Sequence, residues 1–150
     1  MTASPRDHAT HARDISSRDV ERMSALTPYP QLLKLLIDKS REAIGFFPAH
    51  NPRALEYPWI LANVPTDLRG LRMLDVGAGV NPLPLVLADR GARVITLDNH
   101  AETRNPDHRE QWNEWGFLDY SALDSRIESV RLPYEESQFS AAFDCVYCVA

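Results

Sequence analysis

Cysteine is close to absent: the chain of 150 residues holds two, Cys145 and Cys148. No disulfide framework is therefore possible. Their CxxC spacing invites a zinc or redox reading, but both lie in the apolar run FDCVYCVA, which reads as a strand. Residues three apart on a strand point to opposite faces, and one pair supplies only half of a tetrahedral zinc site. Buried strand cysteines and no metal are expected. Long apolar runs are lacking too, and none approaches the roughly 20 residues that cross a bilayer. The opening MTASPRDHATHARD has no apolar core of a secretory signal, so a cytoplasmic chain with no membrane partner is expected. Positive charge is in deficit, with 16 Lys plus Arg against 21 Asp plus Glu and a net charge of -5. That balance argues against broad attraction to nucleic acid. Internal repeats and low-complexity tracts are missing as well.

What remains has the size of one ordinary domain, at 44% hydrophobic and 25% charged residues. Residues 1–26 are polar and charged and read as a flexible arm, with SSRDVERMSAL as a short helix capped by Ser17. Residues 27–69 read as a helical extension or lid. In it, QLLKLLIDKSREAI sets Leu32, Leu33, Leu36, Ile37, Ser40, Ala43 and Ile44 on one stripe closed by Gly45, and EYPWILANV predicts a second helix with Pro58 in its first turn.

From residue 70 to 150 the pattern alternates. LRMLDVGAG is a short apolar run ending in glycines, as a buried parallel strand entering a tight turn does. NPLPLVLADRG is a helix with Asn81 as cap, Pro82 at its first position, Pro84 in its first turn and Gly91 after its end. ARVITLD is a second strand. Asn105-Pro106 opens a predicted helix over DHREQWNEW, closed by Gly116. RIESVRL and AFDCVYCVA follow as a third and a fourth strand, while 117–124 reads equally as loop or irregular strand. Strands alternating with helices specify an α/β fold with a parallel sheet and right-handed crossovers.

The informative segment is LDVGAGVNPLPLVLADRGARVITLD. Gly77 and Gly79 stand where a strand turns into a helix, so a ligand can approach the backbone without meeting a Cβ. Asp98 ends the next strand, where an acid can accept both ribose hydroxyls of a nucleoside. A dinucleotide site would carry a third glycine and a free helix N-terminus for the pyrophosphate. Here Pro82 lacks an N–H, which favours a ligand without phosphates.

The run LDVGAG, the acid Asp98, the segment ESVRLPY and FDCVYCV together resemble the N-terminal half of a class I, Rossmann-like S-adenosylmethionine-dependent methyltransferase, over roughly residues 56–150. The resemblance implies a Rossmann-like parallel sheet with flanking helices, cut short after the fourth strand and preceded by a helical extension. It implies that Asp75, Gly77, Ala78 and Gly79 form the loop at the cofactor's methionine portion. Asp98 would bind the ribose and Asn99 would border the adenine. Glu128 would stand near the adenine amino group with Ser129 beside it, and Asp144 would open the fourth strand. The family's frequent third glycine is Asn81 here. The implied cofactor is S-adenosylmethionine and the implied partner a small-molecule methyl acceptor.

Other conspicuous residues read more plainly. Trp112, Trp115 and Phe117 suit packing better than an acceptor wall. His100 and His108 flank the loop without a partner carboxylate visible in the sequence, and His8, His11 and His50 are isolated. Glu135-Glu136 reads as a solvated loop. Arg53, Tyr57 and Trp59 stand where related enzymes lay a lid, with plain packing as the simpler reading. No catalytic residue is assigned. Two other readings stay open: a noncatalytic nucleoside- or partner-binding module, which an assay of methyl transfer separates, and an NAD-dependent oxidoreductase, which cofactor titration separates. A fourth strand left at an open sheet edge, apolar on both faces, predicts self-association.

Overall fold

The computed structural model describes residues 18, 21, 22, 25, 28–48, 52–105, 107–108, 112–139 and 143–149. Its strands are β1 (Arg72–Val76), β2 (Arg93–Asp98), β3 (Thr103–Arg104), β4 (Phe117–Leu118), β5 (Ile127–Arg131) and β6 (Cys145–Cys148). Four of them form one sheet in the order β5-β2-β1-β6, parallel throughout, while β3 and β4 pair in a separate ladder. All four predicted strands are present, and the fold is α/β and Rossmann-like.

Strand alternation divides the core. Met73, Val94, Ile127 and Tyr147 face one side, in a cluster with Leu36, Leu61 and Leu87 from the helices. Leu74, Ile95 and Leu97 face the other, covered by Phe139 and Phe143. The helices are α1 (Tyr29–Ala43), α2 (Arg53–Asn63) and α3 (Leu83–Asp89). α1 packs on α2 and α3, and α3 packs on β2 and β5. The expected stripe of α1 holds: Leu36, Ser40 and Ile44 are buried, and Gly45 follows at φ +94°.

Three expectations need correction. Helix α2 starts at Arg53, with Pro58 inside it rather than in its first turn. A proline there cannot bond the carbonyl of residue 54 four positions back. Tyr29 takes that acceptor, its hydroxyl donating to the Ala54 carbonyl at 2.8 Å. This bond ties α1 to α2 at the break.

No α-helix runs through the described residues of 105–116. The Asn105 side chain accepts the Asp107 N–H at 2.9 Å, and its carbonyl accepts both the His108 N–H and the Trp112 indole N–H. Local bonds of this kind compete with helix formation, and a single 3-10 turn results.

The cysteines are not buried: Cys145 is half-buried and Cys148 exposed, because β6 lies at the edge of the described sheet. Its two faces also differ, with Tyr147 buried and Val146 57% exposed. Among the described residues of the arm, Arg18, Glu21, Arg22 and Ala25 are helical. Ser17, His8, His11 and His50 lie outside the described residues. No described helix is long and apolar enough to cross a membrane, and no described group of His, Cys, Asp and Glu could hold a metal.

Candidate functional site

From β1 the chain fills one side of the sheet with β2 and β5, then returns to the other side of β1 for β6. Such a reversal opens a crevice at the carboxyl ends of the two strands where it occurs, here β1 and β6. Asp144 fixes that alignment: its carboxylate accepts the Arg72 N–H at 2.9 Å, and its own N–H donates to the Arg72 carbonyl.

The crevice holds a cavity of about 220 Å³. Asp75 and Gly77–Asn81 form its floor, Arg53 and Tyr57 of α2 one wall, and His100, Glu114, Trp115, Cys148 and Val149 the rest. Arg53 and Tyr57, for which packing was the simpler reading of the sequence, are both buried and also line the cavity. Trp59 packs against the core. Of the three crossover aromatics only Trp115 reaches the cavity, and at 53% exposure it is a rim. Trp112 is buried and Phe117 half-buried.

The glycine loop is fastened at every residue. Gly77 and Ala78 donate to the Leu97 carbonyl at 2.8 and 3.2 Å, and Val80 donates to the Glu114 carbonyl at 3.1 Å. Gly79 donates to Asp98 at 2.7 Å, Asn81 to the Tyr120 hydroxyl at 2.8 Å, and Leu83 to the Asn81 side chain at 2.8 Å. That last bond is the cap expected of Asn81, although α3 itself begins at Leu83. Pro82 and Pro84 have no N–H to give. The N–H groups of the loop from Gly77 to Asn81 are therefore all engaged within the protein and not free for a phosphate.

The two loop glycines serve different ends. A Cβ on Gly79 (φ +55°) would stand 2.8 Å from the Glu114 carbonyl oxygen, whereas one on Gly77 (φ +71°) would meet nothing within 4 Å. Gly79→Ala is expected to displace the backbone and unfold well before Gly77→Ala. The latter carries only the left-handed backbone penalty of roughly 1–2 kcal/mol. Urea melts of both variants check the order, and equal stabilities would refute it.

Asp75 is buried, and desolvation pushes its carboxyl from 3.8 up to about 7, against hydrogen bonding from Asn81. Asn81 Nδ2 donates to the Ala78 carbonyl at 2.6 Å and reaches Asp75 at 3.4 Å. Burial likewise raises the Tyr57 and Tyr147 hydroxyls, with Arg53 opposing at Tyr57 and Asp75 adding at Tyr147.

The sequence-derived site residues divide into two groups. Asp75, Gly77, Ala78 and Gly79 come together in the cavity. Asp98 is buried immediately behind it, one carboxylate oxygen on Gly79 and the other on the His100 N–H at 2.8 Å and Nδ1 at 2.5 Å. His100 thus has the partner carboxylate that the sequence did not reveal. Asn99 is exposed and lies outside the cavity lining. Ser129 serves structure, its hydroxyl bonding Thr96 at 3.0 Å and accepting the Tyr120 N–H at 2.9 Å. Glu128 does not join them. Strand alternation puts it on the sheet face opposite Ser129, exposed beside Arg93 and Arg126. Glu135 and Glu136 are exposed, as a solvated loop requires.

Sequence reasoning missed Glu114, Tyr120 and Tyr147 altogether. Compared with protein-family models and with curated proteins, the chain matches none.

Proposed function

We propose that the chain binds S-adenosylmethionine and serves methyl transfer to a small-molecule acceptor. The observation that carries this reading is the polarity of the crevice. Its loop donors are consumed internally and the Arg53 guanidinium in its wall is paired with Glu56, while the acids Asp75 and Glu114 also line the cavity. A ligand suited to such a wall brings positive charge and hydrogen-bond donors rather than phosphates. A nucleoside bearing a sulfonium and a protonated amino-acid end has that character; a nicotinamide dinucleotide, with its pyrophosphate, does not.

The residues present fit such a group. Gly77 leaves its Cα side open, Tyr147 Oη and Glu114 Oε2 are buried without a hydrogen-bond partner among the described residues, and Asp98 stands at the end of β2 behind the loop. A cavity of 220 Å³ is smaller than the roughly 300–1,000 Å³ that encloses a drug-sized ligand, so it suits one end of such a molecule. When bound, the cofactor supplies a methyl group on a sulfonium whose leaving group needs no proton. The protein is then left with alignment and exclusion of water. Arg53 and Tyr57 close the crevice from α2, Trp115 covers its rim, and the fastened loop keeps the floor rigid.

Calorimetric titration tests the reading. S-adenosylhomocysteine is expected to bind and NAD to show no heat of binding. Binding of NAD with none of S-adenosylhomocysteine would reverse the assignment.

A further inference from the structure

The crossover between β2 and β5 carries Glu114 over the glycine loop, where its carbonyl accepts the Val80 N–H. Glu114 lines the cavity and its charge acts on Tyr57 of the facing wall, yet its Oε2 is buried and has no partner among the described residues. Behind the cavity, Tyr147 stands opposite Asp75 in the β1–β6 register, only 9% exposed, and its hydroxyl also has no partner among the described residues. A buried acceptor without a donor costs free energy, so a ligand that donates to Glu114 stabilises this wall.

The neighbouring donors are already in use. The loop N–H groups are bonded within the protein, and the Arg53 guanidinium holds Glu56 at 2.7 Å. Asp75 beside the cavity is a second carboxylate, and Trp115 brings an aromatic ring to the rim, whereas the Tyr57 ring already has the Arg53 guanidinium 5.9 Å from its centre. Acceptors, negative charge and aromatic rings in one cavity select a cationic donor.

We infer that Glu114 is a ligand-binding residue that accepts hydrogen bonds from a protonated amine. The identity of the ligand, though not the amine site, rests on the proposed function. There the amine is that of the cofactor's amino-acid end; an amine on the methyl acceptor is the alternative source of the same chemistry.

The test is calorimetry on the wild-type chain and Glu114→Gln with three probes: S-adenosylhomocysteine, its desamino analogue and 1,4-diaminobutane. The wild type is expected to bind S-adenosylhomocysteine roughly 10–100-fold more tightly than the desamino analogue, as a charge-assisted hydrogen bond implies. E114Q should lose that preference while binding the desamino analogue within about twofold of wild type, which also shows that the variant is folded. If only diaminobutane binding falls in E114Q, the amine site stands and belongs to the acceptor. Equal losses for both nucleosides, or no amine whose binding depends on Glu114, overturn the inference. A wild type that binds no S-adenosylhomocysteine would sink the methyl-donor reading alone, and diaminobutane would then decide Glu114.

Discussion

Asp75→Asn is expected to make the protein more stable at neutral pH and to weaken its ligand binding. The carboxyl of Asp75 titrates near 3.8 in an unfolded chain and near 7 in the folded one, because burial disfavours its charged form. Between those values the unfolded state has released a proton that the folded state still holds. Unfolding is therefore favoured as pH rises, by about 1.4 kcal/mol for each pH unit. The penalty is absent below pH 4, grows through pH 4–7 and is complete above 7, where it reaches on the order of 4 kcal/mol. Asparagine keeps an acceptor for Asn81 and never ionises. The stability advantage of D75N should thus be near zero at pH 4 and largest at pH 8, and urea melts across that range measure it. Parallel stability profiles would show that Asp75 carries no such burden. A cationic ligand favours the ionised form, so wild-type affinity for S-adenosylhomocysteine should rise from pH 6 to 8 and that of D75N should not.

How far the sequence discloses this arrangement depends on the range of the forces involved. The central strands β1 and β2 were legible because each is a short apolar run bounded by turn residues, as a strand buried on both faces is, while the edge strands β5 and β6 mix apolar residues with polar or exposed ones. The glycine loop was legible for the same local reason: LDVGAG, the Asn81 cap and Gly91 all act within a few residues of themselves. The crossover was not. Its Trp112 and Trp115 have helical spacing, but the Asn105 side chain and carbonyl capture the Asp107, His108 and Trp112 donors and wind the chain otherwise. The face Glu128 occupies depends on strand alternation, which puts it opposite Ser129 and away from the cavity. Glu114 and Tyr147 entered the site through pairings distant in sequence, the first across the glycine loop and the second through the β1–β6 register that sets Tyr147 opposite Asp75. The lone local hint of Tyr120 was the turn chemistry of Asp119 and Ser121, which does cap its 3-10 turn. Asp98 was found as the acid that ends the second strand; its burial behind the loop means that Asp98→Ala must loosen Gly79 as well as affect any ligand.

The largest structural effect should come from Tyr120→Phe, although the lost atom is a single oxygen. The 3-10 turn Tyr120–Ala122 follows β4, and the Tyr120 N–H is tied to Ser129 of β5. From there the ring reaches across the molecule, wholly buried, to the start of α3. Its hydroxyl accepts the Asn81 N–H at 2.8 Å and stands 3.0 Å from the carbonyls of Gly79 and Asn81. Asn81 is also the residue that caps α3 and reaches Asp75. One oxygen thus links the second crossover, the glycine loop and the first helix of the sheet domain. Phenylalanine fits the space but strands a buried N–H and at least one carbonyl, each worth roughly 1–3 kcal/mol, so a loss on the order of 2–5 kcal/mol is expected. Tyr29→Phe is the natural comparison. It removes one half-buried bond to the Ala54 carbonyl, worth about 1 kcal/mol. Denaturant unfolding of the two variants should therefore separate them clearly. Under conditions where Y120F remains folded, its affinity for S-adenosylhomocysteine should fall while that of Y29F holds, because only the first variant frees the loop. A Y120F protein as stable as wild type would mean that the loop is held by its remaining bonds to Leu97, Asp98 and Glu114, and that the tyrosine oxygen is incidental.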